Sequence, residues 1–272
     1  MSQHHEVLGH ITTRSLRQMK SDGEKIASLT AYDASFARVL DEAGMDFILV
    51  GDSVGMVVQG HVTTIPVTMD EMVYHTRLVS RGVKRAMLMA DMPFMSYASG
   101  EDCLRNAARL MKEGGAEIVK LEWGELEIDM VRRLTDCGIP VCAHLGLTPQ
   151  AVHKFGGYRV QGREEAAARK MKEDALALEQ AGADLLLLEC VPTPLAAEIT
   201  AAAGVPVIGI GAGPQVDGQI LVLYDILDIA PGKRTRFSKN YMSGANSIHE
   251  AIANYVREVK AVSFPSAEHA FS

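Results

Sequence analysis

Short apolar runs alternate with amphipathic stretches along most of this chain, and that alternation limits its fold more than any other feature. Runs of this kind predict buried strands, and the stretches between them have helical spacing. The predicted strands are Ile26–Ala31, Phe47–Val50, Met87–Ala90, Ile118–Leu121, Val141–Ala143, Leu185–Leu188, Val207–Ile210 and, more weakly, Ile226–Ile229. The predicted helices are Ala34–Ala43, Met69–Arg81, Glu101–Glu113, Leu126–Asp136, Glu164–Ala181, Leu195–Ala203 and Ser247–Val262. This order is typical of a parallel sheet covered by helices.

Strand–helix alternation through 272 residues predicts a single (β/α)8 barrel, a fold that typically takes about 250 residues. An open Rossmann-like sheet is the alternative, but no GxGxxG motif follows the first predicted strand. The segment Thr13–Ser21 predicts a short helix that would cap the N-terminal mouth of the barrel. We expect residues 1–272 to form one domain, with residues 1–25 as an N-terminal extension and residues 263–272 as a C-terminal tail.

Charge and composition exclude several classes of partner. The formal net charge is -7 and no basic run is present, so nucleic acid is not an expected partner. The most apolar stretch, residues 185–210, is interrupted by acids and prolines and is not expected to span a membrane. The first residues lack the apolar core of a secretory signal, and the four cysteines lack zinc-site spacing. We therefore expect a cytoplasmic protein that acts on small molecules.

Ionisable residues come at the ends of five consecutive predicted strands, beginning with the second. They are Asp52, Asp91, the pair Lys120 and Glu122, His144 and Glu189. A single acid at such a position is more often a helix N-cap. However, the C-terminal ends of the strands carry the active site in barrel enzymes, and a charge beside a buried strand is costly unless something binds it. The convergence of these residues on one rim predicts a functional site.

The side-chain types in this set favour magnesium chemistry. Lys120 and Glu122 are two residues apart, so they share one face of their strand. Asp52, Asp91 and Glu122 supply hard oxygen ligands without cysteine, which suits Mg²⁺ better than zinc. A metal ion with open positions polarises a carbonyl group, and Glu189 would then be free to remove a proton next to that carbonyl.

Long motifs around these residues resemble the ketopantoate hydroxymethyltransferase family over nearly the whole chain. The motifs are Leu29–Asp33, Val50–Ser53, Thr64–Met72, Ala90–Phe94, Val119–Glu122, His144–Gln150, Gly156–Gly162 and Gly209–Gly213. The resemblance implies a (β/α)8 barrel and an assembly that is commonly a homodecamer, built as a pentamer of dimers. It also implies transfer of a hydroxymethyl group from 5,10-methylenetetrahydrofolate to 3-methyl-2-oxobutanoate. The product, 2-dehydropantoate, leads to pantothenate.

The resemblance assigns roles residue by residue. Asp52 and Asp91 match the aspartates that bind Mg²⁺, Glu122 matches a further member of the metal site, and Glu189 matches the proton acceptor. The oxo acid is expected to contact the metal site, including both aspartates.

Three further residues are expected to bind the oxo acid. The resemblance assigns Ser53 and Lys120 to the substrate, and His144 is expected to hold the bound acid or its enolate. In the expected mechanism the metal ion acidifies the C3 proton, and Lys120 helps to stabilise the enolate oxygen.

Two glycine-rich segments are expected near the site. Thr148–Arg163 reads as a long loop that would cover the site and keep water away from the enolate. The glycines of Gly209–Gly213 favour either phosphate binding or a tight turn that the substrate or folate approaches closely.

Other functions stay open on the residues alone. A carbon–carbon lyase of the phosphoenolpyruvate mutase/isocitrate lyase type would share the barrel and a metal-held 2-oxo acid. A barrel kept as a binding or structural subunit is a further interpretation, although it leaves the set of strand-end charges unexplained. Removal of the metal ion would separate a catalyst from a scaffold, since only the catalyst loses turnover.

Overall fold

The computed structural model describes residues 9–122, 127–230, 232 and 234–272. Within these ranges, eight parallel strands pair in sequence order and form a closed barrel. The strands are β1 (Ile26–Thr30), β2 (Phe47–Val50), β3 (Met87–Asp91), β4 (Ile118–Glu122), β5 (Val141–Gly146), β6 (Leu185–Glu189), β7 (Val207–Ile210) and β8 (Gly218–Leu221). The predicted (β/α)8 fold is confirmed, and the open-sheet alternative is wrong.

The helices lie between the strands as the sequence predicts. They are α1 (Thr13–Asp22), α2 (Ala34–Glu42), α3 (Val54–Val57), α4 (Met69–Ser80), α5 (Gly100–Arg109), α6 (Glu127–Asp136), α7 (Val152–Phe155), α8 (Glu165–Gln180), α9 (Thr193–Ala202), α10 (Leu223–Ile226) and α11 (Ile248–Lys260). The helix predicted over Glu101–Glu113 is α5 followed by a π-helical turn at Leu110–Gly114. Residues 1–8 and the predicted helix start at Leu126 lie outside the described residues.

The eighth strand does not lie at Ile226–Ile229, where the sequence predicts it. That segment is the end of α10 and a turn, and β8 lies earlier in the chain. Its first residue, Gly218, faces β1 so closely that a Cβ atom would lie 2.5 Å from the carbonyl oxygen of Ile26. Its second residue, Gln219, is buried and donates a hydrogen bond to the carbonyl oxygen of Gly213 at 3.0 Å. Only Ile220 and Leu221 of β8 are apolar, and the apolar run that they begin continues past the strand into α10, so the run does not mark where the strand lies.

The N-terminal helix covers the bottom of the barrel, as predicted. Leu16 and Met19 on α1 are buried against the core. Lys20 Nζ lies 2.7 Å from Asp217 Oδ2, and Asp217 directly precedes β8. Arg17 contacts Asp184, which directly precedes β6. The capping role is therefore confirmed, whereas the domain limits at residues 25 and 263 stay a prediction.

Nearly every residue of the eight strands is buried, which is typical of parallel strands covered on both faces. The buried apolar side chains form one continuous core between the barrel and its helices. The segment Thr148–Arg163 is only partly a loop, because a 3-10 turn at Pro149–Ala151 and helix α7 occupy its first half. Among the described residues, no helix is long and apolar enough to cross a membrane.

Candidate functional site

The predicted site residues all line one cavity at the C-terminal ends of the strands. The cavity measures about 520 Å³. Its inner end is lined by Asp52, Ser53, Asp91, Lys120, Glu122, His144 and Glu189. The structure thus brings together every side chain that the sequence singled out.

Strand register sets the order of the charged side chains around the rim. In the pairing of β3 with β4, Asp91 lies opposite Lys120, and in the pairing of β4 with β5, Glu122 lies opposite His144. Lys120 Nζ therefore reaches to 2.7 Å from Asp91 Oδ1, with both side chains buried. Glu189 ends β6 opposite Gly146 and points into the same cavity.

Neither aspartate acts as a helix cap. The Asp52 carboxylate accepts a hydrogen bond from the side-chain amide of Gln150 at 2.9 Å, and the Asp91 carboxylate accepts one from the backbone N–H of Asp52 at 2.9 Å. Helix α3 begins after Ser53, which makes no side-chain cap hydrogen bond. The Asp91 carboxylate is held by the backbone of Asp52 and the Asp52 carboxylate by Gln150, so both remain directed into the cavity.

Gln150 is a site residue that the sequence analysis did not single out. Its backbone N–H donates to Glu122 Oε2 at 2.8 Å, and its side-chain amide also donates to the carbonyl oxygen of Met92 at 3.0 Å. Tyr97 donates its hydroxyl proton to Gln150 Oε1 at 2.6 Å, which fixes the orientation of the amide. Gln150 therefore ties Asp52 and Glu122 to the loop after β5. It escaped notice because it is neutral and lies in a turn beyond the strand end.

His144 connects the lysine to the glutamate of β6. Its Nδ1 lies 3.4 Å from Lys120 Nζ, and its Nε2 lies 3.3 Å from Glu189 Oε2. Burial and the Lys120 ammonium lower the pKa of His144, so the imidazole is neutral. Because an ammonium can only donate, Nδ1 accepts from Lys120 and Nε2 carries the proton that faces Glu189. Burial raises the pKa of Glu189, although His144 opposes that rise.

Carboxyl groups outnumber cationic groups at the inner end of the cavity. Burial and the carboxylates of Asp91 and Glu122 raise the pKa of Asp52 well above its usual value. Burial raises the pKa of Glu122 to about 7, although Lys120 opposes the rise. Burial would lower the pKa of Lys120, but the surrounding carboxylates outweigh it and raise that pKa.

These groups have the chemistry of a divalent-cation site that uses few protein ligands. Three carboxylates (Asp52, Asp91 and Glu122) against one ammonium leave an excess of two negative charges when all are ionised. The buried Glu122 Oε1 has no hydrogen-bond partner in the described part of the chain. No group of three or more histidine, cysteine, aspartate or glutamate side chains within that part is arranged to hold a metal ion. Mg²⁺ usually takes one or two carboxylates and completes its shell with water and substrate oxygens.

The rest of the cavity wall comes from loops. Ser53 Oγ lies 2.9 Å from the Tyr32 hydroxyl oxygen, beside the carboxylates. Tyr158 lines the cavity near its mouth, and its hydroxyl contacts Met56 Sδ at 3.6 Å. It belongs to the second half of Thr148–Arg163, the segment predicted to cover the site. Gly211 leaves room for aromatic rings, since a Cβ there would lie 3.1 Å from Phe237. This packing favours the tight-turn interpretation of Gly209–Gly213 over phosphate binding.

Sequence comparison identifies similar proteins over almost the whole chain. A family model described as ketopantoate hydroxymethyltransferase matches residues 10–267. A 3-methyl-2-oxobutanoate hydroxymethyltransferase from Alkalilimnicola ehrlichii is 62% identical over 261 residues, which cover 96% of this chain and 94% of that protein. One of the same name from Marinobacter nauticus is 59% identical and is matched over 96% of this chain and 98% of its own length.

Structural comparison identifies the same barrel in more distant proteins. A crystal structure of 2,3-dimethylmalate lyase, a member of the PEP mutase/isocitrate lyase superfamily, superimposes with a TM-score of 0.57. The two proteins are 19% identical, and the match covers 77% of this chain and 80% of that one. At this identity the likeness concerns the fold alone.

Proposed function

Because the chain belongs to the ketopantoate hydroxymethyltransferase family, we propose that its strand-end side chains prepare 3-methyl-2-oxobutanoate to receive a hydroxymethyl group. The family's reaction is a one-carbon transfer that forms 2-dehydropantoate. One observation carries the proposal: Glu189 lies within one cavity with three carboxylates and the Lys120 ammonium. The lyase alternative has only a likeness of fold in its favour.

Asp52 and Asp91 would hold Mg²⁺, with Glu122 next to it. The excess of two negative charges in this group supports a divalent cation, and carboxylate oxygens are ligands that Mg²⁺ prefers. When bound, the ion would polarise the 2-oxo group of the substrate and make its C3 proton more acidic. Gln150 would keep the Asp52 carboxylate directed at the ion.

Ser53 and Lys120 would bind the oxo acid. The ammonium already lies against Asp91 Oδ1, so an oxygen atom of the substrate in the cavity would gain a charge-assisted hydrogen bond from its remaining protons. That contact would strengthen as negative charge develops on the 2-oxo oxygen, which is the condition for a faster reaction.

Glu189 would remove the C3 proton, and His144 would orient it. Burial raises the pKa of Glu189, which makes its carboxylate a stronger base near neutral pH. The neutral His144 presents its Nε2 proton to Glu189 Oε2, so it would fix one oxygen and leave the other for the substrate.

The one-carbon donor would be 5,10-methylenetetrahydrofolate. In the net reaction, the oxo acid, the donor and one water molecule give 2-dehydropantoate and tetrahydrofolate. The methylene carbon forms a C–C bond to C3 and a C–O bond to the water oxygen, while its two bonds to the folate nitrogens break. Of the C3 proton and the two water protons, one stays on the new hydroxyl and two end on the folate nitrogens. We further propose that the chain works in the cytoplasm as a homodecamer, as its family resemblance implies.

Replacement of the base tests the proposal at a partial reaction. In Glu189→Gln, exchange of the C3 proton with deuterated water, measured by NMR with Mg²⁺ and oxo acid but no folate, should fall by about 10²–10⁴-fold. Binding of the oxo acid should persist, because the metal site does not include Glu189. The exposed Glu198→Gln on α9 is the matched control and should exchange at the wild-type rate. Normal exchange in Glu189→Gln would show that another group, with His144 the nearest, removes the proton.

A further inference from the structure

The cavity is much larger than the oxo acid requires. Its volume of about 520 Å³ lies in the range of pockets that hold drug-sized ligands, whereas the oxo acid is a small branched acid that occupies the inner end. The remainder is a chamber at the mouth, which we call the outer chamber. It is lined by Tyr158, Arg159, Val222, Asp225, Phe237 and Phe271, among others.

Two aromatic rings form one wall of the outer chamber. Phe237 and Phe271 both lie over Gly211, where a Cβ atom would be 3.1 Å and 3.0 Å from them. Both rings are only half-buried, so part of each faces the cavity. The Arg236 guanidinium lies over the Phe271 ring, 5.4 Å from its centroid. Exposed ring faces of this kind stack on flat, unsaturated ligands.

A half-buried carboxylate, that of Asp225, lies in the same chamber. Asp225 lines the cavity, and no residue in the described ranges makes a hydrogen bond or ion pair to its side chain. Burial raises the pKa of Asp225 to about 6, although Arg234 opposes the rise. A half-buried carboxylate that faces a cavity can accept two N–H groups from a single ligand edge.

The outer chamber adjoins the inner end of the cavity. Tyr32 lies near both, since its ring packs edge-on against that of Tyr224, with 5.7 Å between the centroids, and Tyr224 directly precedes Asp225 in the chain. Its hydroxyl contacts Ser53 at 2.9 Å. A ligand in the outer chamber could therefore present an atom to a substrate bound beside Ser53.

Exposed cations surround the mouth. Arg159, Arg234 and Arg236 line the cavity and are exposed to solvent. Of these, Arg234 is paired with Asp228 at 2.6 Å. Solvent-exposed arginines at the mouth of a cavity can pair with a ligand whose carboxylate extends toward solvent.

We propose that Asp225, Phe237 and Phe271 bind the nitrogen-rich ring system of the one-carbon donor, whose acidic tail extends toward the arginines at the rim. Asp225 accepts two hydrogen bonds from adjacent N–H groups of the ring, and the two phenylalanines cover its face. This inference rests on the proposed function, because it takes the donor to be a reduced folate. It assigns the outer chamber to the donor and the inner end to the oxo acid.

Tetrahydrofolate binding to the Mg²⁺-loaded protein, measured by calorimetry, tests this assignment. In Asp225→Asn the dissociation constant should rise about 10- to 100-fold, since one accepting oxygen and the negative charge are lost. Phe237→Leu should weaken binding about 2- to 10-fold through loss of the aromatic contact. The matched control is Asp22→Asn, the same change on an exposed residue at the opposite end of the barrel, and it should leave binding within about twofold of wild type.

Exchange of the C3 proton without folate is measured in parallel on each variant. Both outer-chamber variants should exchange within about twofold of wild type, which shows that they are folded and that the oxo-acid half is intact. Wild-type tetrahydrofolate affinity in Asp225→Asn would overturn the assignment and leave the proposed function standing. Loss of exchange in that variant would also overturn it, since Asp225 would then serve the oxo acid. A wild-type protein that exchanges the proton but binds no tetrahydrofolate would refute the folate donor itself, and the inference with it.

Discussion

Lys120 is the residue on which the charge balance of the site depends. It is the ammonium placed against Asp91, and it also lies close to His144. Removal of its charge therefore has two opposite consequences. Under the proposed function the oxo acid would lose a cationic contact, and the carboxylates would lose the charge that partly offsets their mutual repulsion.

Lys120→Met should separate these two effects. Binding of the oxo acid at saturating Mg²⁺ should weaken by about 1–3 kcal/mol, the size of a charge-assisted hydrogen bond, whereas Mg²⁺ itself should bind more tightly. Titration calorimetry measures both affinities on the same sample. Lys112→Met, on an exposed lysine of the π-helical turn, should change neither. If both ligands bound Lys120→Met as they bind wild type, Lys120 would not belong to the site.

The ionisation of Glu189 predicts how proton exchange depends on pH. Burial raises its pKa, so the carboxylate is protonated over a pH range in which an ordinary glutamate is ionised. A base must be ionised to act. The rate of C3 exchange should therefore be low at a pH below the raised pKa of Glu189 and should increase as the pH rises through it. The rate is measured by NMR at saturating Mg²⁺ and oxo acid, so that Glu122 and Asp52, which belong to the proposed metal site, should not contribute. An inflection at the ordinary glutamate pKa would contradict the buried environment.

Among single residues, the sequence predicted the charged side chains at the strand ends and missed Gln150 and Asp225. Strand-end acids stand out because a charge after an apolar run is costly, and each of them lines the cavity. Gln150 carries no such signal because it is neutral and lies in a turn. Asp225 carries none because it follows β8, the strand whose position the sequence predicted wrongly. Their roles depend on partners distant in sequence, such as Tyr97 for Gln150.

Helix α11 is the element that secures the closure of the barrel. Its Tyr255 is fully buried and donates its hydroxyl proton toward two carbonyl oxygens, that of Ser28 on β1 at 2.9 Å and that of Gln219 on β8 at 3.2 Å. These are the first and last strands of the barrel. A single side chain of α11 thus contacts both sides of the strand pair that closes the barrel.

Tyr255→Phe should therefore destabilise the protein without changing its shape. Loss of the hydroxyl should lower the free energy of unfolding by about 0.5–1.5 kcal/mol, seen as a lower midpoint in urea with an unchanged slope. Tyr74→Phe removes a hydroxyl from an exposed ring on α4 and should leave the midpoint unchanged. Equal midpoints for the two variants would mean that the Tyr255 hydroxyl adds nothing to closure.

The strands that the sequence predicted correctly are those filled with apolar residues. Seven of the eight were located to within a few residues, because a strand buried on both faces needs a continuous apolar run. β8 is different, since close contact with β1 demands Gly218 and the interior accepts Gln219 only with its hydrogen bond to Gly213. The apolar residues after it, which form α10, resemble a strand more than β8 does.

Across the whole molecule, acids at the two ends of the barrel have different partners. At the bottom, Asp46 accepts a hydrogen bond from the backbone of Ala27 and lies 2.6 Å from Lys260 Nζ, and Asp217 accepts one from the backbone of Val207. These carboxylates are satisfied by the backbone of the strands and by lysines of α1 and α11. At the top, the carboxylates face a cavity and one another. Barrel enzymes commonly divide stability and activity between their two ends in this way.

The pairing of β1 with β8 also has a consequence for how the chain acquires activity during folding. Ser28 and Gln219, which meet there, are 191 residues apart, and contacts this remote form late and slowly because a long loop must close first. Strands β2 to β6 contribute the inner carboxylates, but the outer chamber takes Asp225, Phe237 and Phe271 from the chain after β8. A nascent or partly refolded chain would thus acquire the means to bind the oxo acid before it could complete the transfer. During refolding, the return of full turnover is then a kinetic marker of the final closure step rather than of early collapse.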